Sequence, residues 1–442
     1  MYVFCIEWAV YKAKTAKGVC ILEILEIDGR AVLRGTAKLC GAKNSILPLL
    51  AASLLTDGRS VFRNVPNLTD VTLACEILAE TGVQYKRYSD VIEIEVDNAP
   101  NSDVPRELME GMRGSFIFLG SLLGRHGKAA VFMPGGCKLG LRPVDIHIDA
   151  LGMLGAKFEI ERDHFVATVP NKRLKGAEIN LRYPSVGATE NILLAAVTAE
   201  GTTKITNAAR EPEITDLARY LNRCGADINN AGEATIIING TETLHGAEHT
   251  VIPDRILATT LFSAAAITKS CITVENIDYD SMSSILKIYG QCGLKFKENG
   301  ATLHVDASNG IESCRKITCD PHPGFPTDAG PLLAAMMCFG NGKSEIYDTV
   351  FENRFGCCCE FAKFGADAAV VGRSAIINKV CRDFTAARVT ARDLRGGAAL
   401  ICMALGSTGT STLSGLHHVD RGYSAIETTL SGLGASVRRK RI

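Results

Sequence analysis

The chain of 442 residues carries 48 basic and 48 acidic side chains, and 46% of it is apolar. Such a length exceeds one ordinary core and predicts two or three domains, while the apolar share excludes a disordered chain. Zero net charge offers no global field for nucleic acid or an acidic bilayer, and no apolar run is long enough for a membrane span.

Residues 1–21 place an apolar stretch before their lysines, the reverse of a signal peptide, and read as an N-terminal extension. With no secretory leader expected, the sixteen cysteines do not suggest a disulfide scaffold. They fall inside apolar runs of a large chain, which fits a reducing cytoplasm; all but Cys137 read as small buried hydrophobes. Two strands are predicted next, in "ILEILEI" and "AVLRGTAKL". From residue 43 onward a longer unit recurs. Its first part is an Ala/Leu-rich helix, a short polar turn and a strand, as in "ILPLLAASLLTDGRSVFRN", "NILLAAVTAEGTTKITN" and "ILATTLFSAAAITKSCITVEN". Its second part is a helix closed by a glycine and then two strands, as in "LAETGVQYKRYSDVIEIEV" and "YGQCGLKFKENGATLHVDA". The closing glycines are Gly82, Gly155, Gly225, Gly293, Gly365 and Gly434, six copies with a period of about 70 residues.

Helices with alanine nearly all round are predicted to be buried, which puts helices inside and sheets outside in an α/β fold. The sixth unit stops after "SVRRKRI", one strand short, and the two front strands are expected to complete it by packing against the last repeat. Three units per half gives one domain over residues 43–252 and a second over 22–42 plus 253–442. An active site is expected in the cleft between them.

Five stretches carry candidate chemistry. In "LCGAKNSILPLLAA", Lys43 and Asn44 open a helix whose free N–H groups and positive end would hold an anion; a solvated lysine is the alternative. Arg113, between small residues ahead of another apolar helix, is similarly set and by itself reads as a surface arginine. "MPGGCKLGLRP" puts Cys137 in a glycine-rich loop beside Lys138 and Arg142. Those cations would favour the thiolate relative to a free value of about 8.5, and the glycines would let a lid move; a buried structural cysteine is the competing reading. Arg142-Pro143 followed by Asp145 offers a rigid donor fork for phosphate or carboxylate. In "PHPGFPTDAG", Asp328 fits a helix N-cap or a general base beside a substrate hydroxyl. Arg354, Arg395 and Arg421 would complete, with Lys43 and Arg142, a cationic cleft for a small polyanion, although Asp393 and Asp420 offer two of them simple local pairing. The basic tail from Arg438 to Arg441 reads as solvated chain-end polarity. "CCC" at 357–359 and "HH" at 417–418 lack metal-ligand spacing, and no Walker or dinucleotide glycine loop occurs, so no metal or other cofactor is expected.

Together, "GAKNSILPLLAA", "PGGCKLGLRPVDIHI", "SVGATENILLAA", "NAAREPEI", "PDRI", "HPGFPTD", "TVFENRF" and "HHVDRGY" resemble the UDP-N-acetylglucosamine 1-carboxyvinyltransferase family, from about residue 22 to the end. The resemblance implies an enolpyruvyl transferase-like fold of two inside-out α/β barrel domains, each of three βαβαββ-type units. It implies transfer of the enolpyruvyl group of phosphoenolpyruvate to the 3′-hydroxyl of UDP-N-acetylglucosamine, releasing phosphate through a tetrahedral phospholactoyl intermediate. That reaction opens peptidoglycan synthesis in the cytoplasm, and neither nucleic acid nor membrane is an expected partner. By position, Cys137 would donate a proton to the enolpyruvyl methylene and could form a covalent adduct, and Asp328 would take the hydroxyl proton. Lys43, Arg142, Arg395 and Arg421 would surround phosphoenolpyruvate, with Asn44 orienting the reacting groups. Arg113, Arg142, Pro143, Val144, Asp145, Ile146, Ser185, Val186, Gly187, Asp328 and Val350 would contact the nucleotide sugar. Tyr183 departs from the pattern, standing where some members carry a basic residue; "FGCCCEF" and "FGNGKSE" are also atypical. The competing readings are the shikimate-pathway enolpyruvyl transferase, which shares the six-unit plan, and a non-catalytic paralogue that binds the nucleotide sugar.

Overall fold

The computed structural model describes residues 23–97, 101–135, 139, 144–161 and 164–442. The extension 1–21 and, in the cysteine loop, Cys137, Lys138, Arg142 and Pro143 lie outside the described residues.

The Ala/Leu-rich helices Lys43–Ser53, Phe118–His126, Val186–Ala196, Arg255–Ile267, Gly330–Cys338 and Leu394–Gly406 form the interior. Alanine and leucine favour helix, and a helix with no polar face is stable only when enclosed. Every residue of Arg255–Ile267 and of Gly330–Cys338 is buried. Hydroxyls that would be orphaned there bond back along the helix: Thr259 and Thr260 donate to the carbonyls of Arg255 and Ile256 at 2.7 and 2.8 Å. The six repeat glycines all adopt left-handed backbone, with φ between 91° and 100°. A Cβ would strain that conformation, so glycine both closes each outer helix and turns the chain into the next strand.

Six sheets cover the helices; five have four strands and one has three among the described residues. In each four-stranded sheet a short strand runs parallel to the central one, whose other side carries an antiparallel neighbour. In the three-stranded sheet a parallel bridge from Asp103 to Ala130 marks the place of the fourth strand. Strand Glu23–Asp28 inserts between Thr410–Ser414 and Val437–Arg441, supplying what the sixth unit lacks. The second front strand goes elsewhere than expected. Thr36–Lys38 pairs in parallel with Cys271–Glu275 of the fourth unit. In the fifth and sixth units the parallel strand comes from the segment just before the unit; the fourth unit takes its own from the chain's front.

Two apolar cores result. One is built from Ile46 to Val251, and the other from Leu25 to Leu39 together with Ile256 to Val437. The chain passes between them twice, at Gly41 and Pro253, which form an antiparallel bridge. Ala42 N–H donates to Ile252 O at 2.7 Å and Asp254 N–H to Cys40 O at 2.9 Å, so the helices beginning at Lys43 and Arg255 start side by side. Asp254 caps the second of these, accepting from the Ile256 and Leu257 amides at 2.8 and 3.0 Å.

Two expectations about surface chemistry change. The basic tail is a structured strand: Arg439 reaches Asp420, Glu427 and Glu23 at 2.7, 2.8 and 3.1 Å, and Arg438 reaches Asp28 at 2.9 Å. The thiols are not all packing groups either. Cys75, Cys224, Cys292, Cys319, Cys338, Cys357, Cys358 and Cys402 are buried, but Cys271, Cys359 and Cys381 are exposed on strand, short-helix and loop positions outside the two cores. Among the described residues no helix is long and apolar enough to cross a membrane.

Candidate active site

Lys43 is the first residue of its helix, and its Nζ lies 2.7 Å from Asp70 Oδ2. Asp70 stands in the first turn of the helix Thr69–Glu80, where a negative charge is favoured by the helix end. From the other core Arg421 reaches the same carboxylate, Nε to Oδ1 at 2.9 Å and Nη2 to Oδ2 at 3.3 Å. Thr69 N–H, bonded to Asp420 O at 3.2 Å, ties that helix start to the arginine's own segment. Lys43 is therefore a buried, paired cation; the solvated alternative is set aside. Burial lowers its pKa most, Asp70 opposes this, and Arg421 and Arg395 lower it further. Burial raises the Asp70 carboxyl, but Lys43 and Arg421 outweigh it and hold the group below its ordinary value.

The second cation group centres on Asp328. Arg395 Nε donates to Asp328 Oδ2 at 3.0 Å, and Arg354 Nη2 bonds Oδ1. Arg354 Nε also donates to Thr327 O at 2.7 Å. Both arginines are 2% exposed, whereas a quarter of the Asp328 side chain remains open. Burial works against the Asp328 anion, yet Arg395 and Arg354 together hold its carboxyl well below the usual carboxylate range. Asp328 does not cap the helix that follows, whose N-cap Ala329 makes no side-chain bond; opposite charges take its carboxylate instead. Local Asp/Arg pairing also fails. Asp393 caps its own helix by accepting from Gly396 N–H at 2.8 Å, and Asp420 serves Arg439, which leaves Arg395 for Asp328 and Arg421 for Asp70.

Lys43 acts electrostatically on Asp328, and Arg395 acts on Lys43, so the two groups share one space. Four cations, Lys43, Arg354, Arg395 and Arg421, meet two carboxylates there. Arg395 Nη1 is buried with no hydrogen-bond partner among the described residues, while its Cζ lies 5.4 Å from the Tyr423 ring centre. A buried donor left unmade is costly, and an anion placed beside it would remove that cost. Asn44 is exposed on the first turn of the Lys43 helix.

The residues expected to meet the nucleotide sugar gather around His147. A Cβ on Gly187 would come 3.0 Å from His147 Cε1 and 3.3 Å from Nε2, so the chain at Gly187 runs close against the ring. Ser185 caps the helix Val186–Ala196, its Oγ accepting from Ala188 N–H at 3.3 Å. Val144 and Asp145 begin the helix that carries Ile146 and His147. Arg113 opens the turn Arg113–Ile117, and its charge acts on His147. Asn191 donates to His147 Nδ1 at 2.8 Å, which makes that nitrogen an acceptor and puts the ring proton on Nε2. Burial, then Arg113, pushes the His147 pKa down to about 3, so the imidazole is neutral. Val350 stands with the second core: its amide and that of Phe351 donate to Asp348 Oδ1 at 2.8 and 2.7 Å, and Thr327 donates to Asp348 Oδ2 at 2.5 Å. This places Val350 beside the Asp328 turn. Leu139, near the end of the cysteine stretch, accepts from Asn353 N–H at 3.2 Å. Tyr183 O accepts from Ser185 N–H at 2.7 Å; its hydroxyl is neutral, with burial and Glu211 pushing its pKa up to about 12.

Asp70, His147, Asn191 and Asp348 escaped the sequence reading. Asp70 looks like any first-turn aspartate in "NLTDVT", and its partner Arg421 lies 351 positions away. "CCC" contributes Cys357 and Cys358 to the second core, and among the described residues no group of three or more His, Cys, Asp or Glu side chains is placed to hold a metal.

The inside-out arrangement is that of the enolpyruvyl transferases. The enolpyruvyl transferase NikO from Streptomyces tendae superposes with a TM-score of 0.87 at 24% identity, covering 96% of this chain and 100% of its own. EPSP synthase from Acinetobacter baumannii superposes at 0.75 and 18% identity, covering 95% of this chain and 100% of its own. The family model for EPSP synthase (3-phosphoshikimate 1-carboxyvinyltransferase) matches residues 27–430. UDP-N-acetylglucosamine 1-carboxyvinyltransferase 1 of Caldanaerobacter subterraneus subsp. tengcongensis is 43% identical over 410 residues, 92% of this chain and 97% of that protein. The UDP-N-acetylglucosamine 1-carboxyvinyltransferase of Prochlorococcus marinus is 42% identical over 419 residues, 94% of this chain and 95% of its own length. The chain belongs to the EPSP synthase family of enolpyruvyl transferases, within its UDP-N-acetylglucosamine 1-carboxyvinyltransferase branch.

Proposed function

We propose that the chain transfers the enolpyruvyl group of phosphoenolpyruvate to the 3′-hydroxyl of UDP-N-acetylglucosamine, releasing phosphate. The observation that carries this reading is the buried cation group in which Lys43 and Arg421 share Asp70 while Arg354 and Arg395 share the part-open Asp328. Phosphoenolpyruvate brings a phosphate and a carboxylate, and each competes with Asp70 and Asp328 for these cations. As Arg395 turns its unpartnered Nη1 to the substrate, the influence that keeps Asp328 acidic weakens, and the carboxylate becomes a better acceptor for the hydroxyl proton. The hydroxyl oxygen then bonds to C2 of phosphoenolpyruvate while Cys137 gives a proton to its methylene. The tetrahedral adduct next breaks its C2–O bond to phosphate, the cations stabilising the departing phosphate and the proton on Asp328 leaving with it, while the Cys137 thiolate takes back a methyl proton as the double bond re-forms. The nucleotide sugar would lie along Arg113, Val144, Asp145, Ile146 and Ser185–Gly187, reaching Asp328 and Val350. The thiol-rich composition suits a reducing cytoplasm.

Phosphate release measured with each substrate alone and with both tests the reading: release only with both is expected. Cys137→Ala and Asp328→Asn should each lower kcat by at least a hundredfold. A full rate in either variant removes the role assigned to that residue.

A further inference from the structure

At the edge of the second core two thiols meet. Cys292 closes the helix Tyr279–Gln291, and Cys314 precedes the strand Lys316–Cys319; their sulfurs are 3.4 Å apart. The two segments are held against each other by backbone. Glu312 N–H donates to Cys292 O at 2.9 Å, and a Cβ on Gly293 would come 3.0 Å from Gly310 O. The Cys314 segment is anchored from its other side as well. Ser313 N–H donates to Asn341 Oδ1 at 2.9 Å, Ser313 Oγ to Gly342 O at 3.1 Å, and Asn341 Nδ2 to Glu312 Oε2 at 2.6 Å. Cys292 is buried while Cys314 is partly open to solvent, so one thiol of the pair is reachable and the other waits behind it.

We infer that Cys292 and Cys314 are a redox-modifiable dithiol, which a small oxidised thiol compound such as glutathione disulfide converts to an intramolecular disulfide. The hydrogen bond from Cys292 lowers the Cys314 thiol's pKa and raises that of Cys292, which makes Cys314 the attacking sulfur. In the first exchange the Cys314 thiolate attacks one sulfur of glutathione disulfide. A mixed disulfide forms on Cys314, and one glutathione thiolate leaves. Cys292 then loses its proton and attacks the Cys314 sulfur, displacing the second glutathione. The two cysteines give up two electrons, the glutathione disulfide is reduced to two thiols, and the released protons end on the glutathione sulfurs. Closing the bond takes the sulfurs from 3.4 Å to about 2.05 Å.

Incubation of the full chain with glutathione disulfide, acid quenching, alkylation of remaining thiols and peptide mapping tests this. The expected result is a Cys292–Cys314 linked peptide that dithiothreitol reverses. Cys292→Ser should leave a persistent glutathione adduct on Cys314, and Cys314→Ser should leave Cys292 alkylated and unlinked. The exposed Cys271, Cys359 and Cys381 report that the oxidant was effective. Glutathione on those three without a 292–314 link in the unmodified sequence would overturn the proposal, whatever the serine variants do.

Discussion

Asp70→Asn is the substitution that probes the cleft most sharply. It keeps the shape of the side chain and one acceptor oxygen but removes the charge shared by Lys43 and Arg421, whose donors now lie 2.7, 2.9 and 3.3 Å from the carboxylate. The Lys43 and Asp70 side chains are 11% and 1% exposed, so water cannot replace the lost anion. Removing one partner of a buried ion pair costs about 3–5 kcal/mol. The retained amide oxygen puts the expectation near the lower end, about 3 kcal/mol, or a fall in Tm of roughly 6–12 °C for a core of this size. Thermal unfolding followed by fluorescence, with and without phosphoenolpyruvate, reads it out. An added anion should restore more Tm in the variant than in the parent, because it fills the place of the missing carboxylate. The same variant should lose kcat without a rise in the KM for phosphoenolpyruvate, since the cations are freed of a competitor but no longer held in place. A Tm within 1 °C of the parent would show, against the energy argument, that the three side chains share no buried charge.

Other expectations follow from single contacts. Arg395→Met removes a buried donor set and should raise the KM for phosphoenolpyruvate by roughly tenfold to a hundredfold, the scale of a charged hydrogen bond, as steady-state kinetics will show. Gly187→Ala drives a methyl to 3.0 Å from the His147 ring and should raise the KM for the nucleotide sugar several-fold while sparing that for phosphoenolpyruvate. His147 has a folded-state pKa pushed down from 6.5 to about 3, so the unfolded chain takes the proton first. Its contribution is complete above pH 6.5 and is lost as pH falls toward 3, at about 1.4 kcal/mol per pH unit; His147→Gln should flatten that part of a urea-denaturation series. Asp328, with its pKa held below the ordinary 3.8, adds stability above that value that is lost as pH falls through the depressed one; the gap between parent and Asp328→Asn should therefore narrow in strong acid.

What could be read from the chain was what repeats or sits locally. Gly82, Gly155, Gly225, Gly293, Gly365 and Gly434 announced six outer helix ends, and the alanine-rich runs announced the buried helices, because left-handed backbone and enclosure each demand a residue type. The missing strand of the last unit was likewise visible, and Glu23–Asp28 fills it. Pairings across the fold left no such mark. Thr36–Lys38 could have joined any sheet short of a parallel edge, and its choice of Cys271–Glu275 is set by the chain's crossing beside it. The spacing around Asp328 leaves a helix cap and a general base both open because its partners stand 26 and 67 positions away. For Arg421 the sequence offers Asp420 only as a local alternative, and nothing nearby names Asp70. His147 was invisible for another reason: its neutrality comes from burial and Asn191, which exist only once the helices pack.

The most direct test of the account is to identify the product. The chain is incubated with phosphoenolpyruvate and either UDP-N-acetylglucosamine or shikimate 3-phosphate, and each acceptor is analysed by mass spectrometry alongside phosphate release. The account predicts an enolpyruvyl group on the 3′-oxygen of the nucleotide sugar, formed in step with phosphate, and none on shikimate 3-phosphate. An enolpyruvyl shikimate 3-phosphate, or nucleotide-sugar binding with no new product, would contradict it.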